Sequence, residues 1–288
     1  MTTRTLKQVI KSIATSDGGG VKLLRSLGQH QNLRLDPFLM LDEFSSMNAN
    51  DYIAGLPDHP HRGFETVTYM LDGHMLHRDH LGNQGDLKSG AAQWMTAGRG
   101  IIHSEMPQQT SGRMRGFQLW INLPAKEKMK PGAYQDIQPD QIPIMNLLNG
   151  GTVKIIAGKT EIEDQSIAGP IQSTSTEPLF LDIRLPAGAE LMLPIALGHN
   201  AFVYPYEGQL KIGLGTEKQI LATHCAGLLS EGDHMAIQAD DENLAVLLLT
   251  AKPLHEPIVQ YGPFVMNTHE EIEQAIADYR NGRLVSQD

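Results

Sequence analysis

The sequence has only one cysteine, a deficit of positive charge and no long apolar run, and each shortage excludes a class of protein. Cys225 cannot form an internal disulfide, which favours a reducing compartment, either the cytoplasm or a eukaryotic nucleus. The formal net charge is -10, whereas docking on a nucleic-acid backbone needs concentrated positive charge. The apolar run Leu244–Ala251 is too short to span a bilayer, and residues 1–15 lack the apolar segment of a signal peptide. We therefore expect a cytoplasmic protein that binds neither membranes nor nucleic acid directly.

What the sequence does contain is typical of a β-rich protein with many turns. Hydrophobic residues make up 41% of the 288 residues, which is ample for a packed core and argues against disorder. The 28 glycines and 16 prolines, together with few strong helical periodicities, favour strands joined by turns. The length allows two domains of ordinary size or one large β-rich unit.

Two regions of the sequence share a loose layout of a strand, a glycine turn and a second strand. The first region closes with a buried strand predicted at 117–123, and the second covers 152–250. Between them, Pro139 and Pro143 lie in a stretch with little periodicity, which we interpret as a linker. The predicted organisation is a first barrel over 1–135, a linker over 136–146, and a second barrel with a C-terminal helix over 147–288.

One clear helix is predicted near the end of the chain. Thr268, followed three residues later by Glu271, has the spacing of a capping box. Apolar residues then recur on one face, and Asn281-Gly282 is typical of a helix end. We expect the helix between these two signals.

Two short polar pairs carry the chemistry, His59-Pro60-His61 and His103-Ser104-Glu105. Residues i and i+2 of a strand point to the same face, so each pair projects two metal-type ligands side by side. Two such strands brought together would present three imidazoles and one carboxylate. This set suits a divalent transition metal, and iron in particular where coordination positions stay open. The alternative is that these histidines only satisfy hydrogen bonds in a core, which is a weaker explanation for two pairs than for one histidine.

Other groups close to these pairs leave more than one interpretation open. Glu65 shares the strand parity of His61 but lies about 13 Å from it along a straight strand. It would ligate the metal only if the chain curled back, and otherwise it supports the site from behind or is structural. His74 and His80 share one face of the following strand and are expected to be solvated. His77 takes the opposite face and is the best candidate for lining the pocket.

Longer strings of residues resemble known families. The spacing Gly55-x3-His59-x-His61-x3-Glu65-x7-Gly73 resembles the first cupin motif, and residues 90–103 occupy the place of the second. Over nearly the whole chain the sequence is similar to pirin, a bicupin family. The strings that carry this similarity, in the same order, are LDPFLMLDEF at 35–44, DHPHRGFETVTYML at 58–71, QWMTAGRGIIHSEMP at 93–107 and GPFVMNTHEEI at 262–272.

The resemblance implies an all-β fold of two stacked cupin-type barrels with a short C-terminal helix, and one iron(II) in the first barrel. The metal ligands of pirin fall on the residues that strand parity selects, His59, His61, His103 and Glu105. Ordinary cupins take the carboxylate from the first motif, at Glu65, so the resemblance weakens Glu65 as a ligand. In the second barrel His199 and His234 each stand alone, and we expect no metal there.

The resemblance also implies an activity, that of an iron-dependent flavonol (quercetin) 2,3-dioxygenase. Such an enzyme cleaves a flavonol ring with dioxygen and releases carbon monoxide. Glu105 is the candidate base for the flavonol 3-hydroxyl proton, and Arg62, Phe64 and Met95 are candidate pocket walls. The alternative is a non-catalytic, redox-sensing iron protein that binds a transcription regulator or a metabolic enzyme. Both hypotheses use the same metal site, so the sequence leaves both open.

Overall fold

A computed structural model of the chain describes residues 2–172, 175–216 and 218–285. The protein is mostly β, with 53% strand and 7% helix. The strands of the first half of the chain are β1 (Leu6–Lys11), β2 (Ile13–Asp17), β3 (Val21–Arg25), β4 (Phe38–Ser46), β5 (Leu56–His61), β6 (Phe64–Asp72), β7 (His74–Asp79), β8 (Gln84–Lys88), β9 (Ala92–Thr96), β10 (Ile101–Pro107), β11 (Met114–Asn122), β12 (Ala133–Ile137) and β13 (Ile144–Asn146).

The second half continues in the same manner, and one helix follows the last strand. Its elements are β14 (Thr152–Ala157), β15 (Lys159–Ile162), β16 (Gln165–Ala168), β17 (Leu179–Leu185), β18 (Glu190–Pro194), β19 (Asn200–Glu207), β20 (Leu210–Ile212), β21 (Gln219–Leu221), β22 (Cys225–Leu229), β23 (His234–Ala239), β24 (Leu244–Ala251), β25 (Val259–Tyr261), β26 (Phe264–Met266) and α1 (His269–Arg280). Short 3-10 turns lie at Ala49–Asp51, Ala125–Glu127 and Pro139–Gln141. No helix of the described residues is long and apolar enough to cross a membrane.

The chain forms two compact units, and each is assembled from separate segments. The first barrel comprises Ala14–Arg25, Phe38–Pro139 and Leu254–Asp288, and the second barrel comprises Met1–Ile13, Ser26–Pro37 and Asp140–Pro253. This division differs from the contiguous ranges predicted from the sequence, because β1 pairs with β22 and the C-terminal helix packs in the first barrel. The stretch interpreted as a linker holds the end of β12, a 3-10 turn and β13.

The first barrel consists of two antiparallel sheets whose inner faces meet. One sheet has the strand order β12-β9-β6-β11-β4-β3-β2, and the other has the order β5-β10-β7-β8. A hydrogen bond from Thr68 on β6 to Glu105 on β10 joins the inner faces. One end is filled by apolar side chains, which include Val21, Leu23, Phe44, Met70, Met75 and Leu87.

The C-terminal segment completes the first barrel. Thr268 and Glu271 form the predicted capping box, so α1 begins where the sequence indicates. The hairpin β25–β26 and the helix share an apolar cluster that contains Phe264, Ile272 and Ala275. The C-terminal hairpin packs closely against Gly63, because a Cβ atom there would lie 2.0 Å from the carbonyl oxygen of Val265.

Lys128 links this segment to the rest of the first barrel through buried hydrogen bonds. Its side chain is fully buried, and Nζ donates to the carbonyl oxygens of Gly63 at 2.7 Å and Val265 at 2.9 Å, and to Asn122 Oδ1 at 2.6 Å. An ammonium group has three donors, and all three are used here. Burial lowers the pKa of Lys128 to about 7.

The second barrel repeats the topology of the first with different strands. Its sheets have the orders β1-β22-β19-β24-β17-β14-β13 and β18-β23-β20-β21, and a separate hairpin is formed by β15 and β16. Its interior is one large aliphatic cluster to which both sheets contribute, for example Leu181 and Leu248 from the first sheet and Leu193 and Met235 from the second.

Candidate metal centre

Strands β5 and β10 bring three histidines together. In this antiparallel ladder His103 lies opposite His59, and Ile101 lies opposite His61. Because positions i and i+2 share a face, the three imidazoles project into the same space. One potential ligand atom of each histidine lies within 4.8 Å of the others, and in the described part of the chain they form the one group of this kind.

The hydrogen bonds of these histidines leave ring nitrogens free to bind a metal. His59 Nδ1 lies 2.8 Å from the carbonyl oxygen of Pro57, so Nδ1 carries the proton and Nε2 keeps its lone pair. That Nε2 faces His61 Nε2 at 3.0 Å. His103 Nε2 is buried and has no hydrogen-bond partner among the described residues. A buried polar atom without a partner is costly, and a metal ion would satisfy it.

Burial favours the neutral form of two of these imidazoles, His61 and His103. His61 and His103 are 2% and 1% exposed. The loss of hydration lowers the pKa of each well below its ordinary value, and the neighbouring histidines add to this effect. A metal binds the neutral form, so no proton has to leave when it enters. Three imidazoles fit a transition metal and suit iron, zinc, copper or nickel.

Glu105 is buried on the same strand as His103, but its carboxylate lies outside the histidine group. Oε1 accepts a hydrogen bond from Thr68 Oγ1 at 2.7 Å, and Oε2 accepts one from Gln118 Nε2 at 2.7 Å. Opposite Glu105 in the ladder is His77 on β7. The structure thus brings together three of the four predicted ligands and places the fourth beside them, bound to other side chains.

Thr68 and Gln118 belong to a row of polar residues that crosses the inner face of the larger sheet. Neighbouring strands place these residues directly opposite one another, and we call the row the polar belt: Arg25, Asp42, Gln118, Thr68, Gln93 and Asp136. At one end Arg25 binds both oxygens of Asp42, at 2.8 and 2.7 Å. The belt separates the apolar end of the barrel from the histidines. A cavity of about 20 Å³ is lined by Glu105, by belt residues and by side chains of the apolar end, among them Val21, Phe44 and Met75.

Glu65 does not share the face of the histidines, contrary to the prediction. Strand β5 ends at His61, the chain turns at Gly63, whose φ is +91°, and β6 starts in the other sheet at Phe64. This turn reverses the parity, so Thr66 and Thr68 face inward while Glu65 points to the other side of β6. There it accepts a hydrogen bond from Thr96 Oγ1 at 2.7 Å, and burial raises its pKa.

Two of the three predicted wall residues lie on the inward face of the larger sheet, and one of them, Phe64, contacts a histidine. The Phe64 ring lies 5.1 Å from that of His61, and Trp120, which the sequence did not single out, lies 5.2 Å from it. Met95 is buried opposite Thr66 on the inward face. Arg62 is not a wall, because its guanidinium donates to the carbonyl oxygen of Arg99 and to Asp278 of α1.

Of the three histidines between 74 and 80, two lie at the surface and one is buried. His74 lies at the surface against Asp86, and His80 is exposed. His77 is fully buried, and its Nε2 lies 2.7 Å from His103 Nδ1. It therefore lies behind a candidate ligand, and not on a pocket wall.

Among the described residues, His199 and His234 of the second barrel belong to no group of potential metal ligands. His234 Nδ1 lies 2.9 Å from Asp233, and His199 Nε2 lies 3.9 Å from Glu177. The inward positions of the smaller sheet carry Leu191, Leu193, Met235 and Ile237. These side chains contain no nitrogen or oxygen that could bind a metal.

Two cupin-type barrels, one of which holds a buried cluster of histidines, define this protein as a bicupin. The pirin family profile matches residues 20–121, and the profile of the pirin C-terminal cupin domain matches residues 180–285. The chain belongs to the pirin family.

Individual proteins agree with this assignment. A protein of Pseudomonas aeruginosa, provisionally named a quercetin 2,3-dioxygenase, is 52% identical over 93% of this chain and 94% of its own length. Human pirin is 42% identical over 93% of this chain and 89% of its own. A crystal structure of quercetin 2,3-dioxygenase from Acinetobacter baumannii superposes with a TM-score of 0.88 at 34% identity, and covers 99% of both chains.

Proposed function

We propose that the protein is an iron-dependent dioxygenase of the quercetin 2,3-dioxygenase type. The observation that carries the proposal is the group of three imidazoles, two of them buried, with Glu105 two residues beyond His103 on the same strand. The names of the similar Pseudomonas and Acinetobacter proteins support this class of reaction. His59, His61 and His103 would hold the metal, with Glu105 as the proposed fourth ligand.

When bound, an iron ion would supply the Lewis acidity that holds the 3-hydroxyl and 4-carbonyl oxygens of a flavonol and the open positions that dioxygen needs. The protein side chains perform the other tasks. The Phe64 and Trp120 rings, 4.4 Å apart, form an aromatic wall beside His61 that suits a flat aromatic substrate. Burial of His61 and His103 excludes water from this side of the site.

Glu105 is the proposed base that takes the 3-hydroxyl proton of the substrate. Removal of this proton makes the flavonol electron-rich enough to react with oxygen. Hydrogen bonds from Thr68 Oγ1 and Gln118 Nε2 to its two oxygens hold the carboxylate in a fixed orientation. Each oxygen of Glu105 accepts one hydrogen bond and keeps a second lone pair, so the carboxylate could bind the metal while Thr68 and Gln118 hold it.

The test is aerobic turnover of quercetin by iron-loaded protein, followed by the loss of flavonol absorbance and by release of carbon monoxide. His61→Ala is the matched control for metal bound elsewhere, and free iron(II) is the control for uncatalysed oxidation. Turnover in the wild type alone supports the enzyme. Tight iron binding without turnover above the controls would reject the dioxygenase and leave the non-catalytic, partner-binding alternative.

A further inference from the structure

We propose that His77 is a positioning residue that fixes the tautomer and the ring orientation of His103 for metal binding. The inference rests on the proposed metal centre. It concerns a residue outside the four predicted ligands, and it follows from a contact between two buried imidazoles.

The two imidazoles are in close contact, and both are buried from water. His77 Nε2 lies 2.7 Å from His103 Nδ1, and the two rings are 0% and 1% exposed. At this distance one of the two nitrogens must donate its proton to the other. Because neither ring can exchange this partner for water, the hydrogen bond orients both imidazoles.

The direction of this hydrogen bond follows from the role of His103. His103 Nδ1 is engaged by His77, so Nε2, which is buried and without a partner among the described residues, is the nitrogen left for the metal. A ligating nitrogen needs its lone pair, which puts the proton of His103 on Nδ1. His103 then donates and His77 Nε2 accepts. In the opposite tautomer a proton on His103 Nε2 would block the metal.

His77 is itself held in place by packing. Its ring stacks on Tyr134 with centroids 4.8 Å apart and planes inclined by 19°. The Tyr134 hydroxyl donates to Asp136 and accepts from Gln93 Nε2 at 2.7 Å, so this ring is fastened to the polar belt. Gly85, which lies opposite His77 on β8, leaves room for the phenol, because a Cβ atom there would lie 1.6 Å from the hydroxyl oxygen.

The second partner of a metal-binding histidine is commonly a carboxylate, a backbone carbonyl or water. A neutral imidazole in this place is a weaker acceptor and attracts the Nδ1 proton less than a carboxylate would. His77 therefore orients His103 without making it a strongly anionic ligand. Loss of such a partner typically weakens metal affinity by about 10- to 100-fold.

Two substitutions separate hydrogen bonding from packing. His77→Phe keeps a ring against Tyr134 but removes the acceptor, whereas His77→Gln loses the ring but places an amide oxygen near the position of Nε2. Cobalt(II) affinity is measured by titration of metal-free protein, through the visible absorption bands of the bound ion. Thermal unfolding of the metal-free variants records any loss of fold, and His77→Leu replaces His77→Phe if the latter does not fold.

The proposal predicts about 10- to 100-fold weaker cobalt binding by His77→Phe, affinity within a few-fold of wild type for His77→Gln, and little change for Tyr134→Phe, which keeps the stacked ring. If His77→Phe binds as tightly as wild type, or if His77→Gln is the weaker of the two, His77 acts only by packing and the proposal is wrong. If the wild type binds no cobalt, the metal centre itself fails, and this inference fails with it.

Discussion

The two barrels share a topology but differ in what fills them. In the first barrel the row across β3-β4-β11-β6-β9-β12 is the polar belt, and the facing sheet carries histidines and Glu105. In the second barrel a row through β14-β17-β24-β19 consists of Ile155, Leu181, Leu248 and Val203. A buried polar group is tolerated only when its hydrogen bonds are satisfied. In the belt Arg25 pairs with Asp42, Gln118 and Thr68 donate to Glu105 of the facing sheet, and Gln93 donates to Tyr134 and Asp136.

Sheets of the same topology can therefore enclose either a polar site or an aliphatic core. An aliphatic interior has no side-chain hydrogen bonds to satisfy, and each buried side chain adds to its stability. A polar interior gains less but can hold a carboxylate and imidazoles in fixed orientations. We infer that the second barrel contributes stability, whereas the first barrel carries the chemistry.

Substitution of two buried glutamates of the first barrel, Glu105 and Glu65, should give the largest difference in quercetin turnover. Glu105→Gln should lower quercetin turnover by about 100- to 10,000-fold, because the amide cannot take the substrate proton. Glu65→Gln, its matched control on the other face of β6, should change turnover less than about 3-fold, since Glu65 contacts Thr96 and not the site. Steady-state kinetics on iron-loaded variants measure both. The opposite ranking would restore Glu65 as the carboxylate of the site.

The next effect tests whether the second barrel tolerates a polar group. Leu181→Asn should lower the free energy of unfolding by about 4 kcal/mol, because it removes aliphatic packing and buries an amide with no partner. Urea denaturation followed by circular dichroism gives this value. A loss below about 1 kcal/mol would mean that the aliphatic core tolerates a buried amide, which would contradict the difference drawn between the two barrels.

Lys128→Met should cost about 3 kcal/mol, because it leaves three oxygens without their donor in the first barrel. The C-terminal hairpin should exchange its amide hydrogens faster as a result. Hydrogen exchange of residues 258–266 in the variant and in wild type provides the measurement. Unchanged exchange would show that apolar contacts alone fasten the segment.

The same lysine predicts a pH dependence. Its folded pKa of about 7 lies below the ordinary value of 10.5, so between these values the unfolded chain binds the proton more readily. This group therefore makes the free energy of unfolding rise as the pH increases from about 7 towards 10. The stability difference between wild type and Lys128→Met should grow by about 1–2 kcal/mol from pH 7 to pH 9. A difference that stays constant or shrinks would contradict this sign.

Thr68→Val is the smallest perturbation of the belt. It keeps the shape of the side chain and removes the donor to Glu105 Oε1. We expect a loss of about 1 kcal/mol in stability and a measurable fall in turnover. Turnover equal to wild type would show that Gln118 alone holds the carboxylate.

Strand parity was enough to predict the histidine group, because β5 and β10 are regular where they carry it. The prediction failed for Glu65, because it assumed a straight strand through Gly63, where the chain turns into the other sheet. It also failed for Arg62, since its partner Asp278 is more than 200 residues away. Contacts at such separation leave no local signal in a sequence.

The partners of Glu105 and His77 were missed for a related reason. Gln118 is a single polar residue in the apolar string FQLWI, which hints at an inward polar contact but does not name its partner. Tyr134 and Gly85 meet His77 only because β12 and β8 lie near it in the folded barrel. Assignment of the C-terminal helix to the first barrel likewise depends on packing, and not on chain order.

The central claim is that the first barrel alone holds one metal. Titration of metal-free protein with iron(II) under anaerobic conditions, with elemental analysis after desalting, tests it most directly. We expect one tight equivalent per chain in the wild type and its loss in His61→Ala and in His103→Ala, with both variants still folded by circular dichroism. Two tight equivalents per chain, or one that survives both substitutions, would contradict the account.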